Sequence, residues 1–344
     1  MLRRTIALAS SLGLVLIFAS STALAQYQLT NLDSNQAALA PSNPPDPLLV
    51  NAWGMVHAPG SPWWISDNNS GWSTLYTGTG VRLAHPVVKI PSASGTGIGS
   101  PTGDVFNASQ NFQDFKIQES SAVFLFATLD GTISGWAPQV DFNNAKIAVT
   151  APGAVYTGLA ITSRASENFL FAADNANNKV DMYNRNFKLV KSFTDTALPA
   201  GFAPFGIRDL GGLVYVAFAS SSGASGGFID IFKENGTFVK TLTSGGPLNQ
   251  PWGFAAAPSN FGPFSNTLLV SNNTDTGTIN AFNAINGQFV GTIKDTNGNV
   301  IHIDQLWAID FGDGLGANGD KNTLFFTAGP DNNLAGLFGK IVFK

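Results

Sequence analysis

From about residue 50 onward the chain is written in short, dense apolar runs separated by turn residues. The runs Trp63-Trp64-Ile65-Ser66, Leu125-Phe126-Ala127-Thr128, Leu170-Phe171-Ala172-Ala173, Val214-Tyr215-Val216-Ala217, Leu268-Leu269-Val270-Ser271 and Leu324-Phe325-Phe326-Thr327 each follow a Pro- or Gly-bearing turn. They lack a clean alternation of apolar and polar positions, as expected of strands buried on both faces. A second pattern precedes each run: an aromatic residue or Thr, then Gly or Ala, then a mostly apolar pair. It reads Trp53-Gly54-Met55-Val56, Thr102-Gly103-Asp104-Val105, Thr157-Gly158-Leu159-Ala160, Phe205-Gly206-Ile207-Arg208, Trp252-Gly253-Phe254-Ala255 and Trp307-Ala308-Ile309-Asp310. The small residues at 54, 103, 158, 206, 253 and 308 recur at intervals of 49, 55, 48, 47 and 55 residues.

After each dense run comes a polar hairpin and a third strand, as at 179–183, 228–232 and 278–282. A fourth follows, as at 187–193, 237–242 and 288–293. Four short strands in about 50 residues, six times over, predict an all-β fold: a six-bladed β-propeller of four-stranded blades. The Gly or Ala column belongs to innermost strands that crowd the axis, where a missing side chain lets backbones approach. The sixth unit ends at residues 337–343 with no sequence left for an outer strand. Residues 27–32 (Y-Q-L-T-N-L) are therefore expected to supply it and close the ring, with 33–47 as the linker into blade one. The count of six motifs argues against a seven-bladed ring or a pair of β-sandwiches. The domain plan is a leader, 1–25, and one propeller domain, 26–344.

Composition agrees and sets the compartment. Charged residues are 12% of the chain, and only Glu119, Glu167 and Glu234 are glutamates, against 37 Gly and 27 Phe. That is strand-and-turn usage and excludes a coiled coil or helical bundle. The absence of Cys rules out a disulfide or zinc–cysteine scaffold. The net charge of −4 argues against nucleic acid, which needs a basic surface. Residues 1–25 read as a secretory signal: Arg3 and Arg4, an apolar run from Ile6 to Phe18, and Ala23-Leu24-Ala25 at a cleavage site. The mature chain is expected to begin at Gln26, in the periplasm or outside the cell. No Cys follows the cleavage site, so no lipid anchor is expected, and no later run reaches the ~20 apolar residues of a membrane span. A monomer is the expected state.

The repeat resembles the NHL-like and gluconolactonase-like (SMP-30-type) six-bladed propellers, with their Pro/aromatic-Gly-apolar strand followed by an L-Y-V-A-D-like strand. A narrower resemblance rests on Leu48-Leu49-Val50-Asn51-Ala52-Trp53-Gly54, Pro101-Thr102-Gly103, 198–206 (L-P-A-G-F-A-P-F-G), 246–264 (G-P-L-N-Q-P-W-G-F-A-A-A-P-S-N-F-G-P-F) and 322–339 (N-T-L-F-F-T-A-G-P-D-N-N-L-A-G-L-F-G). These look like an uncharacterised family of exported bacterial propellers, some of whose members occur with PEP-CTERM sorting systems. The resemblance implies fold and export and carries no activity. The chain shows no Pro-Glu-Pro motif, hydrophobic span or basic tail near Lys344, so membrane sorting is not expected. It also departs at 271–277 (S-N-N-T-D-T-G), where a shorter G-N-F-G-D-G-like hairpin belongs.

Candidate chemistry gathers where the loops leading into the innermost strands meet the hairpins after the second strands. Aligning the second strands puts Asp67, Leu129, Asp174, Phe218, Asn272 and Ala328 in one column, so Asp67, Asp174 and Asn272 offer oxygens that suit Ca²⁺. The competing reading is that each caps its own hairpin. Gluconolactonase-like enzymes use a Glu/Asn/Asp metal set at this mouth; here Asn51 stands at the first position and no Glu does, which puts lactonase chemistry in doubt. Arg208 and Asp310 are charges in a column otherwise filled by Val56, Val105, Ala160 and Ala255. They are expected either to pair or to hold a charged ligand. Asp104 is a third odd charge one position earlier. Trp53, Phe205, Trp252 and Trp307 are read as a stacking rim for a flat ligand or as wedges between blades. Asp313, Asn318 and Asp320 form a second, weaker set for a structural Ca²⁺.

Other motif matches fail on context. Gly223-Ala224-Ser225-Gly226-Gly227 lies in a hairpin and not at a strand-to-helix elbow. Gly314-Leu315-Gly316-Ala317-Asn318-Gly319 is followed by a strand, so no helix end awaits a phosphate. Asp295-Thr296-Asn297-Gly298-Asn299 lacks the later ligands of an EF-hand. His57, His85 and His302 are not arranged for zinc or for a triad. The sequence thus predicts an exported binding or interaction module with its site at the channel mouth and axis, taking a small molecule or a protein partner. A metal-dependent hydrolase, lactonase or lyase and an envelope interaction scaffold are the alternatives.

Overall fold

The structure, a computed structural model, describes residues 27–109, 113–162 and 168–344. The secretory-leader reading of 1–25 lies outside the described residues. Six four-stranded antiparallel sheets make six blades, and in the first five the chain runs from the innermost strand outward. Blade 1 is Ala52–Val56, Trp63–Asp67, Trp72–Tyr76 and Val88–Lys89; blade 2 is Pro101–Phe106, Phe124–Thr128, Thr132–Trp136 and Lys146–Thr150. Blade 3 is Tyr156–Ile161, Phe169–Asp174, Lys179–Asn184 and Leu189–Phe193; blade 4 is Phe202–Asp209, Leu213–Ser220, Phe228–Lys233 and Phe238–Ser244. Blade 5 is Pro251–Ala256, Leu268–Asn272, Ile279–Phe282 and Phe289–Thr292. Blade 6 is Leu306–Phe311, Thr323–Ala328 and Leu337–Phe343, completed by Tyr27–Ser34, which pairs antiparallel with Leu337–Phe343. The closing strand runs two residues beyond the expected 27–32, through a bulge between Asn31 and Asp33. Among the described residues no helix is long and apolar enough to cross a membrane.

Each junction between neighbouring blades is one apolar cluster. Trp64, Leu75, Phe124 and Trp136 fill the gap between blades 1 and 2; Ala160, Phe171, Val216 and Phe232 fill that between blades 3 and 4. Both faces of every inner strand are consequently buried, which explains the unalternating apolar runs.

The repeated aromatic-Gly motif is a β-bulge. In all six blades the register between the first and second strands breaks there, between residues 52/55, 101/104, 156/159, 204/206, 251/254 and 306/309. A bulge bends its strand and turns its side chains, here toward the axis. The glycine is required sterically: a Cβ on Gly206 would collide with the Trp252 carbonyl, and one on Gly253 would come within 2.6 Å of the Trp307 carbonyl. Register also corrects the oxygen column. Pro101 pairs with Thr128 as Ala52 pairs with Asp67, so blade 2 contributes Thr128 and not Leu129. The apolar run of blade 2 begins one residue earlier than its sequence suggests, at Phe124.

Candidate functional site

The six inner strands surround an axis with two unlike ends. At the upstream end the bulge turns Trp53, Phe205, Trp252 and Trp307, from blades 1, 4, 5 and 6, toward one another. Trp53 and Trp307 stack with ring centroids 3.6 Å apart at 17°. Trp252 meets both edge-on, at 6.4 Å and 5.8 Å, and Phe205 closes on Trp307 at 5.7 Å. The tryptophan Nε1 atoms of 252 and 307 donate to the Thr157 carbonyl and to Asn51 Oδ1, each at 2.9 Å, whereas Trp53 Nε1 is buried without an acceptor among the described residues. These aromatics neither ring an open mouth nor wedge between blades: they plug the axis. Thr102 and Thr157, the remaining two of the column, are short and turn their hydroxyls to the carbonyls of Tyr156 (2.7 Å) and Pro204 (3.5 Å).

The oxygen-bearing residues of this face are each held locally. Asp174 accepts from the Val155 N–H at 3.2 Å and from Asn177 Nδ2 at 2.7 Å. Asn272 accepts from the Asn249 N–H (3.0 Å) and donates to the Pro247 carbonyl (2.8 Å). Asp67 accepts from Thr74 Oγ1 at 2.7 Å; burial pushes its carboxyl well above the usual range, and Asp46 and Asp104 nearby push it the same way. Asn51 spends its amide on Trp307 and on Asn68 Oδ1 (3.2 Å). The structure therefore brings Asn51 together with Trp307 and the plug, and leaves Asp67, Asp174 and Asn272 in their own blades. The second oxygen set is a clamp between blades 6 and 1. Asp313 accepts from the Gly60 N–H (2.6 Å) and the Leu315 N–H (2.8 Å), and Asn318 donates to the Ser61 carbonyl (2.9 Å). Burial alone would raise the Asp313 carboxyl, but these N–H groups, Asn318 and His57 together hold it below its ordinary value. Asp320 accepts from the Asn322 N–H at 2.7 Å. Among the described residues no three His, Asp or Glu side chains converge as metal ligands.

Downstream of the plug the axis opens into a cavity of about 220 Å³. Its wall is the second half of the inner strands, where Val56, Val105, Leu159, Ala160, Ile207 and Phe254 are too small or too well tucked to meet across the axis. Among these apolar side chains are set Arg208, Asp209 and Asp310, with Asp104 from blade 2. Arg208 Nη2 donates to Asp310 Oδ2 at 2.5 Å, and Nη1 donates to the carbonyls of Phe254 (2.9 Å) and Ile309 (3.3 Å). Asp310 Oδ1 accepts from the Phe311 N–H at 2.8 Å. The two odd charges of the sequence are thus an ion pair spanning blades 4 and 6 across blade 5. Arg208 keeps 33% of its side chain exposed, and its bonds use three of the five guanidinium N–H groups, so two donors remain. Asp104 lines the blade 2 side, over Gly54 and beside Ser66. Among the described residues neither of its oxygens has a well-formed hydrogen bond, and burial lifts its carboxyl well above the usual range.

The cavity was not itself visible in the sequence. Its signal, the pair of charges in an otherwise small apolar column, was.

No protein-family model matches the chain. It is 31% identical to the uncharacterised protein R648 of Acanthamoeba polyphaga mimivirus over 345 residues, covering 94% of this chain and 82% of that protein. A second mimivirus protein, the uncharacterised L690, is 29% identical over 346 residues, covering 94% of this chain and 88% of its own length. Among solved structures, virginiamycin B lyase from Staphylococcus aureus superposes with a TM-score of 0.51 at 14% identity, over 92% of this chain and 99% of that one. Hydrazine synthase of Kuenenia stuttgartiensis gives 0.52 at 11% identity, over 81% and 77%. At such identities the likeness is one of fold.

Proposed function

The chain belongs to the family that includes the mimivirus protein R648, and from that premise we propose that it is a binding module that takes a small molecule into the downstream end of its axial channel. The observation that carries this reading is the cavity itself: walled by the inner strands, bounded on the plug side by Trp252, and equipped with one arginine that has donors to spare. Convergence of a few polar groups in an apolar recess is the usual form of a small-molecule site. At about 220 Å³ the space is below the roughly 300–1,000 Å³ of drug-sized pockets. The ligand is accordingly small, with an apolar body and a carbonyl or carboxylate acceptor for Arg208. Asp310 already balances the arginine charge, so shape and hydrogen bonding do more of the recognition than net charge.

Trp252 both lines this cavity and belongs to the plug, which makes intrinsic fluorescence a direct reporter. A screen of small carboxylates and amides by fluorescence and thermal shift is expected to yield ligands that raise the melting temperature. Their affinity should fall about tenfold or more in Arg208→Ala, since a hydrogen bond to a charged group contributes about 1.5–3 kcal/mol. Ligands that bind Arg208→Ala unchanged would place recognition elsewhere.

Export, as a monomer, belongs to the same proposal. It is supported by the leader-like residues 1–25 and by the resemblance to exported bacterial propellers. Recovery from the extracytoplasmic fraction of a chain starting at Gln26 would agree with it; a cytoplasmic chain that retains Met1 would not. The calcium-dependent hydrolase alternative is checked by melting curves with EDTA and with Ca²⁺, followed by a lactone and ester screen.

A further inference from the structure

A second cavity, of about 530 Å³, lies on the outer rim where blades 1 and 2 touch, remote from the axial channel. The outermost strand of blade 1, Val88–Lys89, hands its edge to blade 2 here: the Lys89 N–H donates to the Asn143 carbonyl at 2.9 Å, and the Ala145 N–H donates to the Lys89 carbonyl at 3.0 Å. Residues 91–98 fold over this seam as a small lobe. Pro91 bridges Ile98, and a run of hydroxyls holds the lobe in shape: Ser92 to Ser94 at 2.9 Å, and Ser94 to Thr96 at 3.2 Å. Asp130 pins its base by accepting from the Ala93 N–H at 2.6 Å.

The lining has an uneven charge. Lys89 and Lys146 are in the wall with Thr96, Asn144 and two glycines, and no Asp or Glu lines it. Lys146 is already bound to Asp141 at 2.6 Å. Lys89 is half-buried, and among the described residues its ammonium has neither a hydrogen bond nor an ion pair. An unpaired lysine in the wall of a recess attracts an anion locally, against the net charge of −4 of the chain as a whole. The space is far larger than a bare phosphate or sulfate ion requires, and the wall has no aromatic face: Thr96 adds a hydroxyl, and Asn144, whose Nδ2 donates to Asp141 at 3.0 Å, adds its amide oxygen. We infer that this rim cavity binds an anionic sugar, its phosphate or carboxylate group on Lys89 and its hydroxyls against Thr96, Asn144 and the lobe.

Isothermal titration calorimetry at low salt on the whole chain, with glucose 6-phosphate, glucuronate, glucose and inorganic phosphate, tests the assignment. At least one of the two anionic sugars is expected to bind. Lys89→Gln keeps the chain length and removes the charge, and should weaken that binding about tenfold or more. Raising the salt should weaken it as well, because the lysine is only half-buried. Whichever of the two sugars binds identifies the anionic group. The inference is overturned if neither anionic sugar gives heat, if neutral glucose or bare phosphate binds as tightly, or if Lys89→Gln titrates like the parent. Binding lost in Arg208→Ala but kept in Lys89→Gln would likewise overturn it, by assigning the sugar to the axial channel.

Discussion

The two ends of the axis are built from the same six strands, and a step of two or three residues along a strand separates their opposite outcomes. In blade 1, Trp53 is in the plug and Val56 is in the cavity wall; in blade 5, Trp252 is in the plug and Ala255 follows the wall residue Phe254. Upstream, four aromatics large enough to cross the axis meet and exclude everything else. Downstream, no side chain except Arg208 reaches its counterpart, and that one is held by a carboxylate and two carbonyls. A propeller axis is therefore closed or left open by side-chain volume at single repeat positions, with the backbone unchanged. The plug makes a rigid floor, and the cavity above it can be shaped by substitutions that cost the fold little.

The largest expected effect comes from breaking the floor. Trp307→Ala removes the ring stacked on Trp53 and the bond to Asn51, and should destabilise the protein by about 3–5 kcal/mol in a urea titration. If the loss is below about 1 kcal/mol, the plug is not a structural floor. Next is Gly206→Ala, whose added methyl falls on the Trp252 carbonyl; a loss of about 1–3 kcal/mol is expected from this overpacking.

A smaller contrast sits just outside the plug, in the hydroxyls that tie one blade to the next. Thr327 Oγ1 donates to the Trp53 carbonyl at 2.6 Å and accepts from the Ala308 N–H at 3.1 Å. Ser271 does the same between blades 5 and 6, at 2.6 Å to the Trp307 carbonyl and 2.8 Å from the Gly253 N–H. Ser66 occupies the equivalent place in blade 1 yet has no such bond, and Ala127, Ala173 and Ala217 fill it elsewhere. Thr327→Ala is expected to cost about 1–3 kcal/mol because it strands two buried backbone groups, while Ser66→Ala stays within about 0.5 kcal/mol of the parent. Equal losses would mean that the latch geometry does not govern these junctions. Arg208→Ala, at the open end, should lower stability by less than about 1 kcal/mol, since the pair is partly exposed and screened.

How far all this was legible follows from what each feature leaves in a sequence. The blades and the closing strand were readable because six bulges each need a small residue, and strands buried on both faces leave apolar runs. The register of blade 2 was not: Phe124 and Leu125 are equally apolar, and only pairing distinguishes Thr128 from Leu129. Arg208 and Asp310 stood out as charges in a small-residue column. That Trp53, Phe205, Trp252 and Trp307 meet across the axis did not, because rim, wedge and plug ask for the same residue types. The rim cavity was hidden for a simpler reason. Residues 91–99 (P-S-A-S-G-T-G-I-G) carry no apolar pattern, and nothing local announces that Lys89 is left without a partner among the described residues.

The mildest prediction concerns Asp104, at the open end, a carboxyl with no cation paired to it among the described residues. Burial raises its folded-state pKa well above the ordinary 3.8, so the folded protein keeps a proton that the unfolded chain has released. The stability Asp104 contributes is then complete below about pH 3.8, shrinks as the pH climbs from there, and is gone once the pH has passed the folded value. Asp230, between blades 3 and 4, obeys the same sign with its folded value pushed by burial to about 7, which sets its window between 3.8 and about 7. Asp230→Asn should consequently flatten the slope of unfolding free energy against pH below neutrality, and Asp104→Asn should flatten it between about 3.8 and the raised folded value of that carboxyl. At pH 5 the Asp104→Asn variant should unfold within about 0.5 kcal/mol of the parent, because the amide replaces a carboxyl that is already neutral. Urea midpoints at pH 5, 7 and 9 decide the matter. Parent and Asp104→Asn curves that stay parallel across that range would mean the carboxyl is ionised in the fold, which would in turn require a cation beside it at the open end of the channel.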